Sequence, residues 1–251
     1  MYGDLVSIIM PAYNCSDFIG KSIDTIRQQT YENWELIIVD DCSTDDTPLV
    51  IRQYIEQDER IHLYQLEKNS GAAIARNTAV DKANGVYLAF NDSDDLWKPE
   101  KLEKQIHFMT ENNYNFTCTD YGKIDEQDNI QNIVIKCKSI YDYNFILKEC
   151  PGNSTIIYNC QELGKFHAAN IKRRNDFVMW LAVIKKAQKA YGLPELLSYH
   201  RVRSGSISYK KSLLLKYQWK VYREIEKLPF FKCCYLMLHK IYYVIKLKHK
   251  T

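Results

Sequence analysis

Four short runs rich in β-branched and aromatic residues, each but the last followed by a stretch that reads as helix, fill the first hundred positions. Val6-Ser-Ile-Ile-Met10 stops at Pro11, and Ser16 offers an N-cap for a helix to about Gln29. Trp34 to Val39 ends at Asp40-Asp41. Ser43 to Asp46 then supply cap candidates, and Pro48 suits the first turn of a helix reaching about Ile55. Ile61 to Leu66 is a third strand, Ser70 to Ala83 a third helix and Val86 to Phe90 a fourth strand. This rhythm implies a parallel sheet covered by helices on both faces. Ligands of such sheets bind beyond the carboxyl ends of the strands. The unusual residues collect at those ends: Pro11 and Tyr13, Asp40 and Asp41, and the acids of Asn91-Asp-Ser-Asp-Asp95.

The last of these ends constrains chemistry as well as fold. Asp92, Asp94 and Asp95 repel one another, so their crowding at a strand end favours a bound cation. Oxygen ligands at i and i+2 suit a hard divalent ion such as Mg²⁺ or Mn²⁺, which would in turn neutralise a substrate diphosphate. The plainer alternative is a solvated turn, since Asp and Ser favour turns on their own account.

Beyond Trp97 the rhythm becomes mixed. Lys98-Pro-Glu-Lys to Met109 reads as a helix, Phe116 to Tyr121 and Ile130 to Ile135 as strands around a turn at Asp125 to Asp128. Tyr143 to Lys148 reads as a short helix, Thr155 to Tyr158 as a strand, and Asp176-Phe-Val-Met-Trp180 opens a helix to about Lys189. The start, Met1-Tyr-Gly-Asp, lacks the basic region of a secretory signal, and no run reaches the roughly 18 apolar residues of a membrane span. The eight cysteines form no CxxC pair, which argues against a zinc site or disulfide framework and for reduced thiols in the cytoplasm. Charge is uneven. Residues 210–251 carry eleven Lys and Arg against two Glu, whereas residues 1–209 carry 23 against 29. A basic tail, 209–251, is therefore distinguished from a body, 1–208, whose halves are 1–97 and 98–208.

Five segments in order resemble glycosyltransferase family 2: Val6 to Asn14, Val39 to Thr47, Gly71-Ala-Ala-Ile-Ala-Arg-Asn77, Asn91 to Asp95, and Asn175-Asp176 with Trp180. Tyr199-His-Arg-Val-Arg-Ser-Gly-Ser-Ile-Ser208 extends the match. The likeness is strongest to short bacterial enzymes that build capsular, O-antigen or teichuronic-type polysaccharides. It implies a GT-A fold, a nucleotide-diphosphate sugar donor (commonly UDP), a divalent metal and inversion at the anomeric carbon. By the same resemblance, Pro11 and Tyr13 frame the base and ribose, and Asp41 with Asp40 meets the uracil edge. Gly71 lets backbone approach the nucleotide, with Arg76 nearby. Asp92, Asp94 and Asp95 correspond to the DxD motif, with Asp94 and Asp95 nearest the metal. Asp176 is the expected base for the acceptor hydroxyl. Two departures stand out: Cys42 replaces the usual Gly, and Asn175 replaces the usual Glu before the base.

Other features keep two readings. Trp180 lines the acceptor pocket or packs in the core. Asn153 belongs to an acceptor-side loop or to a structural turn. His200, Arg201 and Arg203, with Ser204 to Ser208, bind the donor diphosphate or form a basic surface loop. The tail is split by Pro229 into two amphipathic helices that meet an anionic membrane surface, and so a polyprenyl-diphosphate-linked acceptor at the inner face of the plasma membrane, or else pack on the core or a second copy. No nucleic-acid recognition motif accompanies its charge. The expected enzyme is non-processive, since the Gln-x-x-Arg-Trp motif of the polymerising synthases is absent. Two alternatives are a silent sugar-nucleotide-binding scaffold and a sugar nucleotidyltransferase. The latter is disfavoured by the lack of a Gly-rich, Lys/Arg-bearing N-terminal loop.

Overall fold

The computed structural model describes residues 3–203 and 211–248, with the side chains at 211–212 and 243–248 outside that description. Ser204 to Ser208, grouped above with His200 and Arg203, lie outside the described residues. The elements run β1 (Val6–Ala12), α1 (Ser16–Arg27), β2 (Trp34–Asp40), α2 (Thr47–Ile55), β3 (Ile61–Gln65), α3 (Ala72–Lys82), β4 (Tyr87–Phe90) and β5 (Leu96–Trp97). Then follow α4 (Lys101–Asn112), β6 (Phe116–Ile124), β7 (Ile130–Ile135), β8 (Ile140–Tyr141), α5 (Tyr143–Lys148), β9 (Ile157–Asn159), α6 (Cys160–Leu163) and α7 (Asn175–Ala187). Last come β10 (Ala190–Arg201), α8 (Lys211–Lys220) and α9 (Phe230–Lys248).

One mixed sheet has the order β3-β2-β1-β4-β9-β6-β10-β5, with β7 beside β6 and β8 beside β10. Its first four strands are parallel, and β9 joins them antiparallel to β4 and β6. Both faces are covered, so alternate residues of one strand enter different cores. Val6, Ile8 and Met10 of β1 pack with Ile19, Ile23 and Ile26 of α1, whereas Ile9 joins α3, α7 and Phe90 on the other side. Burying one such side chain stabilises by roughly 1.5–3 kcal/mol, which explains strands without polar alternation. Register places Ala12 beside Asp40 and Ile9 beside Phe90, so the carboxyl ends of β1, β2 and β4 open at one edge.

Several local expectations are corrected. The N-cap of α1 is Cys15, not Ser16, and it makes no side-chain cap. The loop after β2 supplies the acceptors instead: Cys15 N donates to Thr47 Oγ1 at 2.8 Å and Ser16 N to Asp45 Oδ2 at 3.1 Å. α4 starts at Lys101, leaving Pro99 ahead of it. The twelve-residue strand β10 was hidden in sequence by Pro194 and Glu195, where its pairing with β6 shifts register twice.

The tail docks one face on the body. Val221, Tyr222, Leu228, Cys233 and Leu236 are buried in the same core as Phe177, and Tyr222 OH donates to Leu147 O. Glu226 binds Tyr143 and Lys185. The other face of α9 leaves Phe231, Tyr235, Leu238 and Tyr242 exposed.

Candidate active site

The loops after β1 and β2 are tied together. Asn14 N donates to Ser43 Oγ and Thr44 N to Asn14 Oδ1. Asp40 accepts from Ser43 N and Oγ, and so shapes this loop from below. Cys42, where the resemblance expects Gly, has φ +61°. The turn keeps a left-handed shape with a side chain that disfavours it. Asp41 accepts from Ser70 N at 2.6 Å and Gly71 N at 2.7 Å, one bond to each carboxylate oxygen. It thereby fixes the start of α3, and Gly71 holds φ +93° with open space where a Cβ would stand. Tyr13 is 45% exposed at the same edge, a free aromatic surface beside Pro11. Tyr13, Asp40, Asp41 and Gly71 thus belong to one rim.

The acids after β4 form the second part. Asp92 Oδ1 accepts from Arg76 Nη2 at 3.1 Å and from Asn153 Nδ2 at 2.9 Å, while Asp92 N donates to Ser154 Oγ. Arg76 is buried, and its Nη1 reaches Asn175 Oδ1 at 2.8 Å. Its guanidinium therefore links the acidic strand end to the first turn of α7. Asp94 pairs with Arg203 at 2.8 Å. Asp95 is buried, with Oδ1 accepting from Arg201 N at 3.0 Å and Oδ2 from Ser154 Oγ at 2.5 Å. Both Asp95 oxygens are thus engaged by the fold, so Asp92 and Asp94 are the acids left partly exposed at the strand end.

Burial raises all three acids above the usual carboxylate range. For Asp92 the charges of Asp94 and Asp176 add to this and Arg76 opposes it. Asp94 is raised further by Asp95. Asp95 is pushed to about 7 by burial and then by Asp92. Asp176 lies in the first turn of α7, close enough to Asp92 for their charges to repel. No hydrogen bond or ion pair among the described residues holds its carboxylate. His200 stacks on Tyr121 at 4.0 Å, and burial lowers it to about 4, so it is neutral at physiological pH.

Trp180 and Arg201, each given two readings, both make structural contacts. Trp180 is fully buried against Phe90 at 4.7 Å and lines no pocket. Arg201 directs Nε to Asp94 O and Nη1 to Asp125 O and Asp128, anchoring the β6–β7 turn, while its Nη2 is buried without a hydrogen-bond partner among the described residues. Asn153 holds Asp92 rather than standing in an open loop. Ser154 was visible in sequence only as its neighbour, yet it bridges Asp92 and Asp95.

Carboxylates crowded at the edge of a parallel sheet, facing an aromatic rim and a helix-borne acid, are the arrangement to compare with known proteins. The family model for glycosyl transferase family 2 matches residues 7–170. The chain belongs to glycosyltransferase family 2. TuaG of Bacillus subtilis (strain 168), a glycosyltransferase named for teichuronic acid biosynthesis, is 42% identical over 239 residues, covering 94% of this chain and 95% of its own. WfgD of Escherichia coli, named as a UDP-Glc:α-D-GlcNAc-diphosphoundecaprenol β-1,3-glucosyltransferase, is 37% identical over 93% of this chain and 91% of its own. The structure of S. aureus TarS 1-349 in complex with UDP-GlcNAc superposes with a TM-score of 0.70 at 21% identity. It covers 94% of this chain and 71% of the TarS 1-349 chain, and supports the GT-A fold of this family 2 glycosyltransferase.

Proposed function

We propose that this glycosyltransferase moves a single sugar from a UDP-sugar, with inversion, to a hydroxyl of a lipid-diphosphate-linked glycan in bacterial surface polysaccharide synthesis. The observation that carries the reading is the bridge Asp92–Arg76–Asn175, which sets Asp176 against the acidic strand end. Tyr13 offers an exposed aromatic face on which a uridine could stack, Asp41 fixes the Ser70–Gly71 backbone beside it, and Arg203 offers positive charge to a diphosphate. Asp176, unpaired and at the cleft, accepts the proton of the attacking hydroxyl while the nucleotide diphosphate leaves.

The residues fit a divalent cation of the Mg²⁺ or Mn²⁺ kind. Their free donors are hard oxygens, and beyond the effect of burial Asp94 and Asp176 repel the charge of Asp92, as Asp95 does that of Asp94, which a cation would relieve. No group of three His, Cys, Asp or Glu side chains converges among the described residues. Asp94 with Asp92 would hold such an ion. Bound there, it would supply Lewis-acid stabilisation of the leaving diphosphate. Arg203 contributes a second positive charge from the chain itself.

WfgD is named for a diphosphoundecaprenol acceptor, and the exposed stripe of α9 fits delivery of such a substrate. Phe231, Tyr235, Leu238 and Tyr242 follow i, i+4, i+7, i+11 spacing, with Phe231 85% exposed and Leu238 68%. Among the described residues no helix is long and apolar enough to cross a membrane. A basic helix with an aromatic stripe lies instead in an anionic interface, placing the enzyme at the inner leaflet.

The deciding experiment is thermal unfolding with UDP, GDP and dTDP, each with and without Mn²⁺, followed by product analysis on a UDP-sugar panel. A rise for UDP that requires Mn²⁺, and transfer abolished in Asp176→Asn, support the reading. Nucleotide binding without transfer in the native chain would favour a silent scaffold, and release of pyrophosphate a nucleotidyltransferase.

A further inference from the structure

Around Cys150 the structure gathers charges that the transfer chemistry leaves unused. The buried thiol lies within electrostatic reach of the Asp176 carboxylate, the Lys240 ammonium and the Arg174 guanidinium, and burial followed by Asp176 pushes it up to about 12. α9 is brought there by Cys233 and Leu236 in the core and by His239 Nε2, 3.8 Å from Glu149 Oε1. Lys240, the next residue, is lowered to about 8, first by burial and then by the charge of Arg174. Arg174 precedes α7 with φ +64°. Its Nε and the Nη1 of Arg173 are buried without a hydrogen-bond partner among the described residues.

No ion pair among the described residues engages Arg173, Arg174 or Lys240. Cations brought together and partly desolvated with too little opposing charge cost stability, and an arriving anion relieves them. Glu149, the carboxylate beside Cys150, faces His239 and acts on Lys240 too, but less strongly than Arg174 opposes it. Asp176 is the other anion in reach, and its role at the cleft requires a free carboxylate.

We propose that Arg174 and Lys240, with Arg173 beside them, seat the diphosphate of a lipid-linked acceptor, a site that rests on the glycosyltransferase reading above. Arg174 stands two residues before Asp176, so a sugar whose hydroxyl meets Asp176 can place its anomeric diphosphate on these cations. Lys240 follows Cys233 and Leu236 at i+7 and i+4 on the buried face of α9, opposite the exposed aromatic stripe, so the cations lie under the helix that presents that stripe. Diphosphate oxygens offer several acceptors to two cationic donors, and such charge-assisted bonds are the strong ones.

The same chemistry could come from the donor's own diphosphate or from bilayer phosphates, and the test separates these sources. Inorganic pyrophosphate is titrated calorimetrically into the full chain already saturated with UDP and Mn²⁺. Binding is expected in the native protein, weakened about tenfold or more in Arg174→Gln and in Lys240→Gln. UDP affinity and melting temperature report whether each variant is folded. Loss of pyrophosphate binding when UDP is present would assign the cations to the donor and overturn the proposal. Unchanged pyrophosphate binding in both variants would overturn it too. Vesicles of phosphatidylglycerol without any diphosphate lipid should bind native chain and variants alike, and weaker binding by the variants would instead assign the cations to the bilayer. Absence of sugar transfer with pyrophosphate binding intact would count against the glycosyltransferase reading alone.

Discussion

Arg76 Nη1 donates to Asn175 Oδ1 at 2.8 Å, and this bond joins α3 to the residue just before Asp176. Because Asn175 is neutral, the charge of Arg76 is left to Asp92, which its other terminal nitrogen meets at 3.1 Å. Arg76 is a positioning residue: it fixes the acid of the base helix relative to the acids after β4. Arg76→Met should lower kcat on the order of 10²-fold, since small displacements of reacting groups cost about that much. UDP affinity should change far less, and Arg76→Lys, which reaches one acceptor but not both, should fall between. Steady-state kinetics with UDP binding measured in parallel would check this, and equal losses in affinity and kcat would refute it.

Ser154→Ala removes the donor to Asp95 Oδ2 and the acceptor for Asp92 N. A buried carboxyl that loses a hydrogen bond costs about 1–3 kcal/mol. Denaturant unfolding should show that loss with an unchanged slope. Asp95, already raised to about 7, should titrate still higher in the variant.

Cys42→Gly should stabilise the chain. A side chain at φ +61° costs about 1–2 kcal/mol, and glycine's extra unfolded-state entropy about 0.5–1 kcal/mol, so the net gain is on the order of 0.5–1 kcal/mol. A higher unfolding midpoint in Cys42→Gly, without loss of UDP affinity, is the expected result.

Lys101 gives a pH dependence. It is fully buried beside Gln105 Oε1 at 2.6 Å and the Trp97 ring at 4.5 Å, and burial lowers it from its ordinary 10.5 to about 7. Between those values the unfolded chain binds the proton and the folded chain does not, so stability rises with pH from about 7 toward 10.5. Below about 7 the cost of the buried charge is fully present. Lys101→Met should therefore be more stable than the native chain at pH 7, by a margin that shrinks toward pH 10. A margin independent of pH, followed by urea unfolding, would show that Lys101 stays charged when folded.

The first hundred residues were legible because each strand is a short apolar run and local signals coincide with what the sheet needs, although β1 runs through Pro11 to Ala12 rather than stopping at it. The later half was less so. β10 carries Tyr199, His200 and Arg201 on a strand whose partners and irregular register come from distant β6, information no local window holds. Asp94 and Asp95 look alike in sequence, yet one is left partly exposed and the other is enclosed by Ser154 and the Arg201 amide. Trp180, at a spacing shared by core and pocket residues, went to the core because Phe90 and Phe116 stand against that face of α7. In the tail, the buried row Val221, Tyr222, Cys233 and Leu236 and the exposed row on α9 overlap in one basic, aromatic stretch, so composition showed the charge but not the side.

The hydrogen bond from Arg201 N to Asp95 Oδ1 spans 106 positions. During synthesis the four parallel strands have left the ribosome well before β10 exists, so Asp95 must wait for its backbone partner. Long-range closures of this kind slow folding, because chain entropy is lost before the contact returns anything. The acid cluster thus acquires its final hydrogen bonds only once the chain has been made as far as Arg201, and a nascent chain holding the nucleotide rim alone carries unfinished chemistry.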